Sequence, residues 1–468
     1  MSKMRIAELD AETHQQRQKN LLDANKSVSK SRRKWMVKDY LPGQVTYNLG
    51  EYPQRFSIEP TTYDIELLTE FAKHNVGLIQ IHEEWNDPLR VLGADKFTSH
   101  DEEGFRHFIK LVHSLGMKII PYISTGFFDI RDPDFREEWA IRAASTSGDK
   151  IQKSVQLFYQ YAHCSPASPG WRAYLLPKLE RILDEYEVDG LYDDLGYDSL
   201  ANATQPKSHI SPGIETIEHD AALEDLLGIV HGMVRSKGGI FKVHRQEATI
   251  PLSEIPVYDY LWVGESVGSL DHLREATKDF SPYVVPCPDM REVKIEKEDD
   301  FYLHTIPYLR FPLRVDGRPM TGERCMVSGI KYDEPWEKEA VNAHCHRIHN
   351  YYINHPDGPY IYGWWDSSFA RPEARRRWFY YFDLYRPMVS EGSWVWIEVQ
   401  ESKLFKGDIP DNLVVTLFVN ENTYLVLANY GKSPVSISTT WSWKDRESEA
   451  KGQSWTVPAR RLKMLQRI

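Results

Sequence analysis

Carboxylates gather where short apolar runs of this 468-residue sequence give way to polar loops. The run Asp189-Gly190-Leu191-Tyr192-Asp193-Asp194 ends in two acids, after which Leu195-Gly196-Tyr197 turns the chain away. Ile79-Gln80-Ile81-His82-Glu83-Glu84-Trp85 ends in two more, with an indole beside them. Leu261-Trp262-Val263-Gly264-Glu265 ends in one, and Asp129, His244-Arg245 and Asp289 with Arg291 occupy comparable places. A glycosidic bond is hydrolysed when one carboxyl group protonates the leaving oxygen and a second acts as base or nucleophile. Two suitably spaced acids from different strands suffice.

Asp194 is the first candidate, because it closes its run and faces the loop that follows. Asp193 alternates to the other side of the strand, where it would hydrogen-bond structurally or reach substrate from the rim. The plain alternative for both is capping of the next segment, or pairing with Arg245. Glu265 is the natural second acid: Gly264 permits close backbone approach, and Trp262 would exclude water and raise the carboxyl pKa. A surface ion pair or a helix-start acid is the competing role. Glu83 and Glu84 suit hydrogen bonding to sugar hydroxyls with Trp85 as a stacking floor; the competing role is a charged loop. Tyr192, His244, Arg245, Trp262 and Asp289 complete the substrate-binding set expected at the strand ends.

The elements that must hold these groups follow a repeated plan. Leu67, Leu68, Phe71 and Ala72 recur with Ile65 at helical spacing before Gly77 and the run ending in Glu84. Phe105, Phe108, Ile109 and Val112 precede Gly116 and Lys118–Ile123; Trp171, Leu175, Leu179 and Ile182 precede the run ending in Asp194; Leu223, Leu227, Val230 and Val234 precede Gly238 and the run ending in His244. Helix-to-strand units whose strands are too apolar to alternate cleanly imply a parallel sheet covered by helices. Val45–Leu49, Tyr258–Val263 and Tyr283–Pro286 add strands, and an eighth lies near Phe311–Arg314 or at Tyr360–Tyr362. The expected fold class is therefore α/β, a (β/α)8 TIM barrel over residues 44–390. After Tyr385 short strands alternate with Gly, Pro, Asn and Asp turns, which predicts a small antiparallel β-sandwich over residues 391–468. Residues 1–43 read as a charged lead-in, with Lys30–Lys34 in a solvated linker or basic arm.

Composition excludes several functions. A net charge of −11 and a pI near 5.9 disfavour nucleic acid, whose binding needs clustered cations. Aromatic residues at 12% suit sugars, whose apolar ring faces stack on them, although a large core would use them as well. The four cysteines, Cys164, Cys287, Cys325 and Cys345, form no CxxC pair and read as buried thiols. No Walker loop or GxGxxG motif occurs. His344, Cys345, His346, His349 and His355 match no zinc-protease spacing and read as an exposed helix. No cofactor is expected. Without an apolar leader or a run of about 18 apolar residues, the expectation is a cytoplasmic protein with no membrane partner.

Two motifs carry a family resemblance. Asp189-Gly190-Leu191-Tyr192-Asp193-Asp194-Leu195 resembles the fourth-strand nucleophile motif of the α-glucosidase and α-galactosidase barrels, and Ile79–Trp85 resembles their second-strand Asp-Asp-Gly-Trp element. The order of acids after strands two, four and six, followed by a β domain, is shared. The resemblance implies Asp194 as nucleophile, Glu265 as acid/base, Glu83 or Glu84 as sugar ligand, and an oligosaccharide or glycoside as substrate. Three departures bear on specificity: Gly196 replaces Asn, Glu83-Glu84 replaces Asp-Asp, and Glu265 replaces Asp. Each longer acid moves its carboxylate by about one carbon–carbon bond, enough to change which sugar fits. The alternatives are a catalytically silent sugar-binding barrel and a metal-dependent hydrolase using Asp194 and His244 as ligands.

Overall fold

The computed structural model describes residues 9–50, 57–87, 92–141, 153–156, 159–194, 208–211, 214–245, 257–263, 269–279, 283–286, 298–318 and 372–468. Eight parallel strands form one curled sheet: β1 Gln44–Asn48, β2 Leu78–Ile81, β3 Lys118–Ile123, β4 Gly190–Asp194, β5 Ile240–Arg245, β6 Tyr260–Val263, β7 Val284–Pro286 and β8 Arg314–Gly317. Their order, β7-β6-β5-β4-β3-β2-β1-β8, makes each strand the neighbour of its predecessor and returns β8 to β1. Leu313, just before β8, donates its amide to the Pro286 carbonyl at 3.0 Å, so a backbone hydrogen bond spans the two ends of the sheet. Of the two positions the sequence offered for the eighth strand, the one near Arg314 is a strand; Tyr360–Tyr362 lies outside the described residues.

The covering helices are the periodic segments of the sequence. Helix Thr62–Lys73 begins with a capping box in which Thr61 and Asp64 satisfy each other's backbone amides, and it buries Leu67, Leu68 and Phe71. Ile65, which shares the spacing, is 47% exposed: a face this narrow leaves one apolar residue at the rim. Helix Glu102–Ser114 is capped by Asp101 and buries Phe105, Phe108, Ile109 and Val112. Helix Pro169–Glu185 has Pro at its first turn, where no amide partner is needed, and Ser168 as cap. Each fully buried Leu or Phe on these faces contributes roughly 1.5–3 kcal/mol. With helices on one side and the curled interior on the other, β1, β2 and β6 are buried throughout, which is why they do not alternate in polarity.

Gly190 fixes the placement of β4. Its φ of +145° is open to glycine, and a Cβ there would collide with the backbone of Ile240, the residue paired with it on β5.

The C-terminal strands form one seven-stranded antiparallel sheet in the order Val28–Met36, Trp394–Ser402, Leu413–Val419, Thr423–Asn429, Arg461–Arg467, Val435–Asp445, Lys451–Val457. One face packs Trp396, Leu417, Leu425, Trp443 and Leu465 with Ala24 of helix Ala11–Ser27. The other contributes Val395, Phe418, Val426 and Met464 to the main core. Thr416 and Tyr430 donate to the carbonyls of Pro307 and Leu303, both at 2.7 Å. The lead-in expected as a solvated arm is corrected here. Lys30–Lys34 lies in the edge strand Val28–Met36, paired with Trp394–Ser402; Lys30, Arg32 and Lys34 take its exposed positions and Arg33 the half-buried side, where it donates to the Asp279 carbonyl at 2.9 Å.

Candidate active site

Strand alternation sets the site. In β4, Tyr192 and Asp194 face the interior of the curled sheet, while Leu191 and Asp193 face the helices. The register places His244 of β5 beside Asp194 and Trp262 of β6 beside His244. The Tyr122 phenol of β3 donates to Asp194 Oδ2 at 3.1 Å, and His244 Nδ1 lies 3.4 Å from Oδ1. His244 stacks on Trp262 with centroids 4.3 Å apart and 29° between planes. Tyr192, one pleat below Asp194, contacts Tyr122 at 5.8 Å, Trp262 at 5.2 Å and His82 at 6.1 Å. The Asp194 side chain retains 15% exposure above this aromatic floor and His244 only 3%, so the carboxylate is the group that a ligand in the mouth meets.

Asp193 does not share that mouth, which corrects its place among the substrate ligands. It is fully buried and accepts from the Thr125 amide at 3.0 Å and the Thr125 hydroxyl at 2.9 Å. Burial, aided by the negative charge of Asp194 and opposed by the Thr125 bonds, pushes its carboxyl up to about 7. Lys96 shares the pocket: its ammonium bonds the carbonyls of Ser124 and Phe127 and faces the rings of Phe97, Phe128 and Trp171. Burial lowers it to about 8. Asp193 thus ties the end of β4 to the turn after β3, behind Asp194.

After β2 the chain enters a 3-10 turn, Glu83–Trp85, and alternation no longer sets direction. Trp85, expected as a sugar-stacking floor, is instead fully buried. It stacks on Phe105 at 4.9 Å and donates its indole N–H to the Tyr122 carbonyl at 2.8 Å. Glu83 and Glu84 are buried at the same turn, with Glu83 Oε2 3.6 Å from His82 Nδ1. His82 itself reaches the Trp262 ring at 5.8 Å and so joins the site. Asp129 is a structural acid rather than a mouth residue: it is buried and clamped by Arg131 at 3.0 Å.

Tyr122 and His82 were missed as site residues in the sequence. Tyr122 shares a strand face with the less informative Ile120 and is paired in register with Tyr192, just below Asp194, whereas His82 follows the end of β2 and meets Trp262 of β6 across the interior of the curled sheet. Glu265, Asp289, Arg291 and the histidines from His344 to His355 lie outside the described residues; of Arg245 only the backbone is described, paired with Val263. Among the described residues no cluster of three His, Cys, Asp or Glu could hold a metal ion, and no helix is long and apolar enough to cross a membrane.

No family model and no curated protein matches this sequence. Solved structures do match its fold. The GH36 α-galactosidase AgaA from Geobacillus stearothermophilus superposes with a TM-score of 0.53 at 7% identity, over 92% of this chain and 56% of its own. The α-amylase GTA from Geobacillus thermoleovorans, complexed with acarbose, gives 0.53 at 8% identity, over 91% and 98%. The noncanonic maltogenic α-amylase AmyB from Thermotoga neapolitana gives 0.50 at 12%, over 91% and 98%. This chain spans little more than half the length of the α-galactosidases it matches. The fold is a distant form of the glycoside hydrolase fold: a curled parallel sheet of eight strands followed by an antiparallel β domain.

Proposed function

We propose that this chain is a glycoside hydrolase whose curled sheet closes as a (β/α)8 barrel and whose key carboxylate is Asp194. The observation that carries the reading is the seat of Asp194: last residue of the fourth strand, facing inward, one oxygen bonded by Tyr122 and the other beside His244, above an aromatic floor. In this fold, residues at the C-terminal strand ends converge on the ligand. AgaA structures hold raffinose, stachyose and 1-deoxygalactonojirimycin, which favours an oligosaccharide or glycoside as the ligand here.

Asp194 acts as nucleophile on the anomeric carbon, or as the base that deprotonates the attacking water. Glu265, beyond the end of β6, donates the proton that the leaving glycosidic oxygen takes up. Glu83 or Glu84 accepts from hydroxyls of the terminal sugar, and His82, His244 and Trp262 shape the ring's surroundings. A carboxyl separation of about 5 Å would indicate retention of configuration, and about 6.5–9.5 Å inversion. We place the domain limits at 44–390 and 391–468, with the edge strand Val28–Met36 completing the second unit.

The experiment is turnover of a panel of aryl α- and β-glycosides by the wild type and Glu265→Gln. Hydrolysis of at least one glycoside, insensitive to a chelator and depressed in Glu265→Gln, is the expected result. Binding without turnover in the wild type would establish a silent sugar-binding barrel instead, and loss of turnover with chelator a metal-dependent hydrolase.

A further inference from the structure

A second pocket lies at the junction between the helix Pro372–Tyr385 and the C-terminal sheet, and it shares no residue with the surroundings of Asp194. Its volume is about 470 Å³, within the range that holds small ligands. Tyr380 is 40% exposed at its wall, one of few large hydrophobic side chains so open among the described residues. That ring is held firmly: Tyr381 meets it edge-on at 5.2 Å and is itself stacked on Tyr302 at 3.9 Å. Glu447 lines the pocket beside it.

The polar groups around the ring are of both signs and are fixed by one another. Asp299 accepts from the Tyr381 phenol at 3.1 Å and pairs with Arg377 at 3.3 Å and Arg461 at 3.1 Å. Arg376 and Glu447 complete the rim, and Leu462 and Met464 line the apolar side. The three guanidinium groups and two carboxylates nearly balance, which leaves little net charge to select an ion of either sign, and an apolar segment would have to desolvate them all. A neutral polyol meets neither obstacle. Its C–H face stacks on an exposed phenol ring, while its hydroxyls both accept from arginine and donate to carboxylate.

We propose that this pocket is a second, non-catalytic carbohydrate-binding site that takes an oligosaccharide along the junction of the two units. It draws on the reading of the chain as a sugar-handling protein, yet it does not depend on turnover at Asp194.

The test measures binding of maltoheptaose, cellohexaose and galactosyl-mannopentaose, by calorimetry, to full-length Asp194→Asn and to the same chain carrying Tyr380→Ala or Arg376→Ser in addition. Thermal melts verify that each variant is folded. The expected result is binding of at least one probe that weakens about tenfold in either added variant, the loss anticipated for one stacking or charged contact. In the background with native Asp194, Tyr380→Ala should leave kcat and KM on a short aryl glycoside unchanged. Affinities within twofold across the variants, or no probe bound, would overturn the proposal. Tyr380-dependent binding in a protein whose wild type hydrolyses no glycoside would sustain this site while rejecting the hydrolase reading.

Discussion

The Tyr122 hydroxyl donates to Asp194 Oδ2 at 3.1 Å across the β3–β4 boundary, in a setting where Tyr122 is itself pinned from behind: its carbonyl accepts the Trp85 indole at 2.8 Å. The phenol fixes one carboxylate oxygen while His244 Nδ1 stands 3.4 Å from the other. Tyr122→Phe removes that bond while keeping the ring. If the carboxylate's position is what the bond secures, kcat should fall by about ten- to a hundredfold, more than the thermal destabilisation from losing one hydrogen bond to a charged group, roughly 1.5–3 kcal/mol, would explain in a protein that stays folded at the assay temperature. Steady-state kinetics beside a thermal melt decide it; an unchanged kcat would place Asp194 outside the reaction or Tyr122 outside its control.

Trp85 separates a packing role from a binding role. Because it is buried between Phe105 and Tyr186, Trp85→Ala should cost about 3–5 kcal/mol of stability. Trp85→Phe should lower the melting temperature without a selective rise in KM. A sugar-stacking floor would show the reverse, a raised KM at unchanged stability.

The buried pair behind the site makes a contribution to stability that is smallest near neutral pH. Asp193 keeps a proton in the folded chain up to about pH 7, whereas its ordinary value is 3.8. Between those values the folded state binds the extra proton, so stability falls as pH rises. Lys96, lowered from 10.5 to about 8, is neutral in the folded chain while still charged when unfolded, so above pH 8 stability recovers as pH rises. Relative to the wild type, Asp193→Asn should therefore gain melting temperature as pH rises from 4 to 7, because the declining contribution of Asp193 is removed. An identical slope in both proteins would locate the pH dependence elsewhere.

The N-terminal strand is predicted to be structural. Val28–Met36 pairs along Trp394–Ser402, and Ala24 lies in the core of the β unit. Deletion of residues 1–36 should expose the edge of Trp394–Ser402 and cause aggregation or a marked drop in melting temperature, read by light scattering and calorimetry. A deletion variant as stable as the full chain would restore the solvated-arm reading.

How far the sequence disclosed this arrangement depends on range. Helix faces such as Phe105-Phe108-Ile109-Val112 were legible because 3.6-residue periodicity is local. The opposed directions of Asp193 and Asp194 were legible because strand alternation is local too. Trp85 was not, because the 3-10 turn that begins at Glu83 ends that alternation two residues before it. Val28–Met36 was not, because its partner lies about 360 residues away and its outward face is charged. Tyr122 and His82 were visible as residues, but their convergence on Asp194 and Trp262 comes from strand register and from the curl of the sheet, which no single segment contains.

The central claim is that Asp194 carries the chemistry, and kcat of Asp194→Asn on the best aryl glycoside of the wild type tests it most directly. With the fold verified by an unchanged melting temperature, the account predicts a loss of at least about a thousandfold, as expected when the charge of a primary catalytic group is removed. A folded Asp194→Asn that retains turnover within tenfold of the wild type would contradict it.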